Sequence, residues 1–247
     1  LSTTDMHGKC WETNILTGDA EPDNMLRVST AVDQIRREYG DEHVLLIDNG
    51  DLFQGGAVSQ VQLMEYTEGK SAMTPAMAVC LNEIGYDAFI LGNHEFNYDW
   101  NNMRNIYRSL EKNGIPVLAA NVCYDGTDGD HAAGENAFTP YITKTITVAG
   151  HAHKIGILGF ENTDIPLWDT PAHYPGLQFA HPGNDELQIS KEAAPYLAQM
   201  KEEGCEFVIV CYHSGLGSAD GEVIGGFNSE SQGLRLVRET DSINICL

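Results

Sequence analysis

The run Asp87-Ala88-Phe89-Ile90-Leu91-Gly92-Asn93-His94-Glu95 passes from apolar to polar within a few residues. Its first part reads as a short buried strand. Asp99, just beyond it, can cap a helix beginning near Trp100. Asn93 and His94 therefore sit on a loop at the carboxyl end of a strand, where open α/β sheets bind their ligands. An Asn carbonyl is a hard oxygen donor and an imidazole a borderline nitrogen base. Together they can hold a metal and move a proton. The pentapeptide alone is only suggestive, and it gains force from what stands at three other strand ends.

Outward from this loop, strand and helix signals alternate. Leu1 to Thr4 reads as a strand end, followed at once by Asp5-Met6-His7-Gly8. In extended backbone, alternate side chains share a side, so Asp5 and His7 can face one ion. A lone Asp-x-His is weak, and a plain polar loop is its better reading if nothing else matches. A helix opens at Pro22-Asp23-Asn24, with apolar positions Val28, Ala31, Val32, Ile35 and Tyr39, and ends at Gly40. A strand over 43–47 runs into Asp48-Asn49-Gly50-Asp51. A helix starts at Thr74-Pro75 and ends at Gly85. The helix from Trp100 buries Met103, Tyr107 and Leu110, and 116–120 is another strand ending in Asn121.

This alternation predicts βαβ units and a largely parallel sheet. Right-handed crossovers then line up Asp5, His7, Asp51, Asn93 and His94 along one edge, with Asn121 on it as well. Beyond a polar loop over 124–137, Tyr141 to Val148 and Lys154 to Phe160 read as a hairpin. His151 and His153 fall between its strands, and a turn is the better reading of that His-x-His than a metal pair. An irregular stretch over 161–183, rich in Pro and aromatic residues, can border a substrate cleft. A helix over 185–204 follows, kinked at Pro195. An apolar strand over 206–212 then ends in His213-Ser214-Gly215. A helix from Ser229 to Glu239 and a strand over 243–247 complete the chain.

Length and composition fit one globular domain over 1–247. The chain has 247 residues, is 42% hydrophobic and carries a formal net charge of −22. That charge makes nucleic-acid polymers and anionic membranes poor partners. No run approaches the roughly 18 apolar residues of a membrane span. An acidic protein that handles an anionic substrate needs local cations, and metal ions are the natural supplier because Lys and Arg are scarce near the motif loops. The six cysteines contain no Cys-x-x-Cys pair and read as buried small hydrophobes rather than disulfide partners or ligands.

Asp5, His7, Asp51, Asn93 and His213, with His94 beside them, form a mixed N/O donor set suited to two divalent ions such as Mn, Fe, Co or Zn. Two such ions about 3.5–4 Å apart can clamp a phosphate and lower the pKa of a bridging water. The resulting hydroxide attacks phosphorus in line, while His94 stabilises the transition state or protonates the leaving alkoxide.

Asp5-x-His7, Gly50-Asp51, Gly92-Asn93-His94-Glu95 and His213 resemble, in order, four of the five blocks of the calcineurin-like metallophosphoesterases. Thr4-Asp5-Met6-His7-Gly8, the run from Gly50 to Gly55 and Ala119-Ala120-Asn121-Val122 are similar to its exported 5′-nucleotidase group. Asn97 stands where 5′-nucleotidases usually place an Asp that orients the catalytic histidine. The Asn97-Tyr98 form, Gly159-Phe160 with Trp168-Asp169, and His213-Ser214-Gly215-Leu216 resemble the 2′,3′-cyclic-nucleotide 2′-phosphodiesterase/3′-nucleotidase branch. The alternatives are a 5′-nucleotidase/UDP-sugar hydrolase, or a metal-binding module without turnover.

The resemblance implies a four-layer α-β-β-α sandwich, a small nucleotide substrate, export from the cytoplasm, and a catalytic pairing of His94 with Asn97. A neutral Asn97 favours the His94 imidazolium less than an Asp would. The family's fifth block, Gly-His-x-His, has no counterpart after Leu247. The resemblance therefore implies a catalytic domain truncated at its C-terminus, lacking that block and the nucleotide-binding domain.

Overall fold

In the computed structural model, which describes residues 1–217 and 231–247, the chain forms two compact units, Leu1–Val117 and Leu118–Leu247. The first unit is built on short parallel strands. β1 (Ser2–Thr3) pairs with β2 (Ile47–Asp48), and β2 pairs with β3 (Ala88–Ile90). β4 (Val117–Leu118) completes the order β1-β2-β3-β4. Ile47, Ala88, Phe89 and Ile90 are almost wholly buried, as a strand covered on both faces requires.

The expected strand over 43–47 is shorter and later than its apolar letters suggest. Asp41–His43 closes instead into a 3₁₀ turn in which His43 N–H donates to Gly40 O and Val44 N–H to Asp41 O. Leu46 N–H donates to the Asp87 carboxylate at 2.9 Å. The N–H groups before Ile47 thus bond locally and to a side chain, while Leu45 O accepts from the Leu1 amino group and Leu46 O from Asp87 N–H, both at 2.7 Å.

Four helices accompany this sheet. α1 (Met25–Tyr39) is capped by the Asn24 side chain, which accepts from Arg27 N–H at 3.1 Å, and stops at Gly40. α2 (Ala57–Thr67) is absent from the sequence reading. It buries Ser59, Leu63 and Thr67 while Val61 and Met64 face outward, so apolar periodicity gives no signal for it. α3 (Ala76–Ile84) and α4 (Trp100–Lys112) follow the expectation. Asp99 accepts from Asn102 N–H at 3.3 Å, and α4 buries Trp100, Met103, Ile106, Tyr107 and Leu110 along one stripe.

The second unit contains a four-stranded sheet in the order β10 (Ile245–Cys246), β9 (Phe207–Tyr212), β7 (His151–Phe160), β6 (Tyr141–Val148). β6 and β7 form the expected hairpin. β7 runs parallel to β9, which runs parallel to β10. The hairpin turn is only Ala149-Gly150, both with positive φ (50° and 83°). The reading of His151 and His153 as turn residues is therefore corrected, because they are strand residues opposite Val148 and Ile146.

α6 (Ile189–Glu202) runs through Pro195 and packs Ile189, Ala193, Leu197 and Met200 into a core with Leu158, Phe160, Val208, Val210 and Leu236. β5 (Cys123–Tyr124) and β8 (Leu177–Gln178) form a small antiparallel ribbon, and α5 (Ile165–Trp168) is one short turn. α7 (Gly233–Glu239) matches the latter part of the expected last helix, whose start at Ser229 lies outside the described residues. No helix among the described residues is long and apolar enough to cross a membrane.

Candidate metal centre

Beyond the ends of β1 and β2 the two chains stay in register as loops. Asp5 N–H donates to Gly50 O at 3.0 Å, His7 N–H to Asp51 O at 3.0 Å and Gly8 N–H to Leu52 O at 2.8 Å. On the far side, Gly56 N–H donates back to His7 O at 2.8 Å. These bonds hold an unusual backbone. Five non-glycine residues among those described have positive φ, and three of them are Asp5 (53°), His7 (47°) and Asp51 (56°). Left-handed conformations of this kind cost roughly 1–3 kcal/mol each and persist where the surroundings over-determine them. Here the strain turns three ligand-type side chains toward one place.

The third loop is tied in by Glu95, which is buried in the 3₁₀ turn Asn93–Phe96. Its Oε2 accepts from Asp51 N–H and Gly92 N–H, both at 2.8 Å. Its Oε1 accepts from Leu52 N–H at 3.0 Å and Phe53 N–H at 3.3 Å. One carboxylate therefore joins the β2 loop to the β3 loop through four backbone donors. The Asp51 carboxylate reinforces the seam, its Oδ1 accepting from His94 N–H at 2.9 Å.

The loops approach so closely that glycine is required. A Cβ on Gly92 would collide with the Asp51 backbone nitrogen and Oδ1, and one on Gly55 with the His7 carbonyl. Gly92→Ala should lower the melting temperature by on the order of 10 °C, the effect of about 3 kcal/mol of overpacking against backbone. Thermal unfolding followed by circular dichroism checks this, and an unchanged melting temperature would show that the loops can part without cost.

The side chains converge as the backbone does. Asp51 Oδ2 lies 3.9 Å from His7 Nε2 and 3.8 Å from His94 Nε2. Asp5 Oδ1 lies 3.6 Å from His7 Nε2. The two imidazoles meet edge to face with centroids 5.3 Å apart. Each ring has its other nitrogen engaged: His7 Nδ1 with Gln54 O at 2.9 Å, and His94 Nδ1 with Asn97 Oδ1 at 2.5 Å. Carbonyl and amide oxygens only accept, so Nδ1 of each ring carries the proton, and neutral imidazole then keeps its lone pair on Nε2.

His7, Asp51 and His94 thus present one oxygen and two nitrogens within ligand reach of one another. The chemistry of this donor set fits a divalent ion of intermediate hardness. The outer partners, Gln54 O and Asn97 Oδ1, fix ring orientation and tautomer as a metal site demands.

Of the sequence-predicted residues, the first unit brings together Asp5, His7, Asp51 and His94. Asn93 opens the turn that carries His94, and Asn97 closes it. His213 belongs to the second unit, directly after β9, with its N–H directed at Phe160 O at 3.4 Å. Asn121, expected on the loop edge, is fully buried and structural. Its Nδ2 donates to Glu161 O at 2.8 Å and Phe179 O at 2.9 Å, and its Oδ1 accepts from Glu161 N–H at 2.8 Å. His153 pairs with Glu206 at 2.9 Å on the exposed face of β7.

Sequence reasoning gave no role to Glu95 or to the Gln54 carbonyl. A carboxylate between His94 and the apolar Phe96 was a usable signal for the first. A backbone oxygen leaves none in the sequence.

A family model described as calcineurin-like phosphoesterase matches residues 1–237. A 2′,3′-cyclic-nucleotide 2′-phosphodiesterase/3′-nucleotidase from Haemophilus influenzae is 33% identical over 224 residues, covering 87% of this chain and 31% of the relative. A snake venom 5′-nucleotidase from Gloydius brevicauda is 28% identical over 220 residues, covering 87% of this chain and 32% of the relative. Among solved structures, the calcineurin-like phosphoesterase YfkN from Bacillus subtilis superimposes with a TM-score of 0.76 at 26% identity, over 99% of this chain and 69% of that one. The chain spans about a third of the length of these curated relatives.

Proposed function

The chain belongs to the calcineurin-like phosphoesterase family, and from that premise we propose that it is a metal-dependent hydrolase of nucleotide phosphate esters. Within that class we assign it to 2′,3′-cyclic-nucleotide 2′-phosphodiesterase/3′-nucleotidases, with residues 1–247 as one catalytic domain. The observation that carries the reading is Asp51 Oδ2, set 3.8–3.9 Å from the Nε2 atoms of both His7 and His94. In the proposed centre Asp5, His7, Asp51 and Asn93 supply ligands for divalent ions of the Mn, Fe, Co or Zn type, two of them in the full reading. When bound, such ions polarise phosphoryl oxygens and supply a water-derived nucleophile at neutral pH.

His94 is the proposed proton donor. Its Nδ1–H is held by Asn97, so in the imidazolium form the second proton sits on Nε2, on the Asp51 side, and is the one delivered to the leaving oxygen, which returns the ring to the neutral Nδ1–H tautomer. Asn97 orients the ring without adding a negative charge. That neutrality supports the cyclic-nucleotide branch, as does the similarity to the Haemophilus influenzae 2′,3′-cyclic-nucleotide 2′-phosphodiesterase/3′-nucleotidase.

The similarity to snake venom 5′-nucleotidase supports the second reading, a 5′-nucleotidase/UDP-sugar hydrolase. Turnover of 2′,3′-cyclic AMP and of 5′-AMP by the full-length protein with added Mn separates the two. Hydrolysis of the cyclic diester, abolished by a chelator and restored by Mn, is the expected result. Cleavage of 5′-AMP alone would transfer the assignment to the 5′-nucleotidases. Metal binding with turnover of neither would make the chain a binding module.

A further inference from the structure

We propose that Cys10 and Cys80 form an intramolecular disulfide under oxidising conditions, fastening the segment that follows Asp5 and His7 to α3. The two sulfurs lie 3.3 Å apart across 70 positions of sequence, both within the first unit. A disulfide bond is about 2.05 Å long, so the pair needs to close by little more than 1 Å. Cys10 stands in an irregular segment two residues after Gly8, whose φ is +69°. Cys80 is on α3, whose neighbouring residues Met77, Ala78, Leu81 and Ile84 are buried.

All six cysteines are free thiols; of the other four, Cys123 and Cys211 are buried, Cys205 is half-buried and Cys246 is exposed. Cys80 is the more exposed member of the pair and Cys10 is buried. The two thiols are in hydrogen-bond contact, with either able to donate, and the contact lowers the Cys10 pKa against the effect of burial. Exposure makes Cys80 the sulfur that meets a soluble oxidant first, while the lowered pKa of Cys10 suits it to the second, intramolecular attack.

The step balances with a low-molecular-weight disulfide such as oxidised glutathione as oxidant. The Cys80 sulfur attacks it and releases one glutathione thiol, leaving a mixed disulfide. The Cys10 sulfur then displaces the second glutathione thiol. Two protein thiols are oxidised to one disulfide, and one glutathione disulfide is reduced to two thiols.

This inference does not depend on the proposed activity, and neither does its test. The protein is equilibrated with oxidised glutathione, digested without reduction, and its peptides weighed. The expected product is a cross-link between the Cys10 and Cys80 peptides. It should raise the melting temperature by about 5–10 °C, because a long loop is closed in the unfolded chain. The shift should vanish with dithiothreitol and be absent in Cys80→Ser. Cys10 and Cys80 recovered as thiols, or as separate glutathione adducts, would overturn the proposal, and this readout needs no variant to fold.

Discussion

Asp51→Asn should reduce hydrolysis of a chromogenic phosphodiester with added Mn by about 10³-fold or more, while the metal-free protein melts within a few degrees of the parent. The loss corresponds to about 4 kcal/mol of transition-state stabilisation, within the several kcal/mol that bound metal supplies. Asn is the informative replacement because the backbone at position 51 has φ of 56°, a region Asn enters more readily than Ala. It also keeps an oxygen to accept from His94 N–H, as Oδ1 does now at 2.9 Å. What it removes is the charge and the second oxygen, the atom set between His7 and His94. Removing one carboxylate from a cluster that also holds Asp5 relieves repulsion in the metal-free state. Metal content per chain, measured in parallel, should fall. Equal rates for Asp51→Asn and the parent would mean that the observed hydrolysis does not pass through this centre.

The ligand types at the ends of β1, β2 and β3 were legible because chain order and strand alternation alone bring Asp5, His7, Asp51 and His94 to one edge. Long amphipathic elements were legible as well: α4 shows its buried stripe and its Asp99 cap in the letters. Elements that break local pattern were not. α2 buries a serine and a threonine beside Leu63, so its inner face does not look apolar. The first part of the strand expected over 43–47 yielded to a 3₁₀ turn, because His43 and Val44 N–H donate to the nearby Gly40 and Asp41 carbonyls and Leu46 N–H to the Asp87 side chain. The His-x-His of β7 looked like a turn because the two-residue connection is shorter than the polar letters around it.

At the site, the letters named donors but not what fixes them. Tautomers are set by Gln54 O and Asn97 Oδ1, and loop spacing by the absence of a Cβ at Gly92. These are properties of contacts far apart in sequence, which no local window contains.

Glu95 is where that hidden layer is most exposed to experiment. Its carboxylate takes four backbone donors, Asp51, Leu52, Phe53 and Gly92, in a buried setting. Hydrogen bonds to a charged group contribute roughly 1.5–3 kcal/mol each, and a buried donor left without an acceptor costs about 1–3 kcal/mol. Water entry and loop relaxation will recover part of this, so Glu95→Ala should cost about 4–5 kcal/mol and lower the melting temperature by about 10–15 °C.

Glu95→Gln separates charge from volume. Gln fills the same space, but its single oxygen can serve only one pair of donors, Leu52 and Phe53 or Asp51 and Gly92. Its amide N–H groups then face the other pair, donor against donor. It should therefore destabilise by roughly half as much as Glu95→Ala. It should also weaken metal loading, because the freed pair includes either the Asp51 backbone itself or its two successors. A Glu95→Gln protein that melts with the parent and binds Mn equally well would show that the β1–β2 register bonds alone hold Asp51 in its strained conformation.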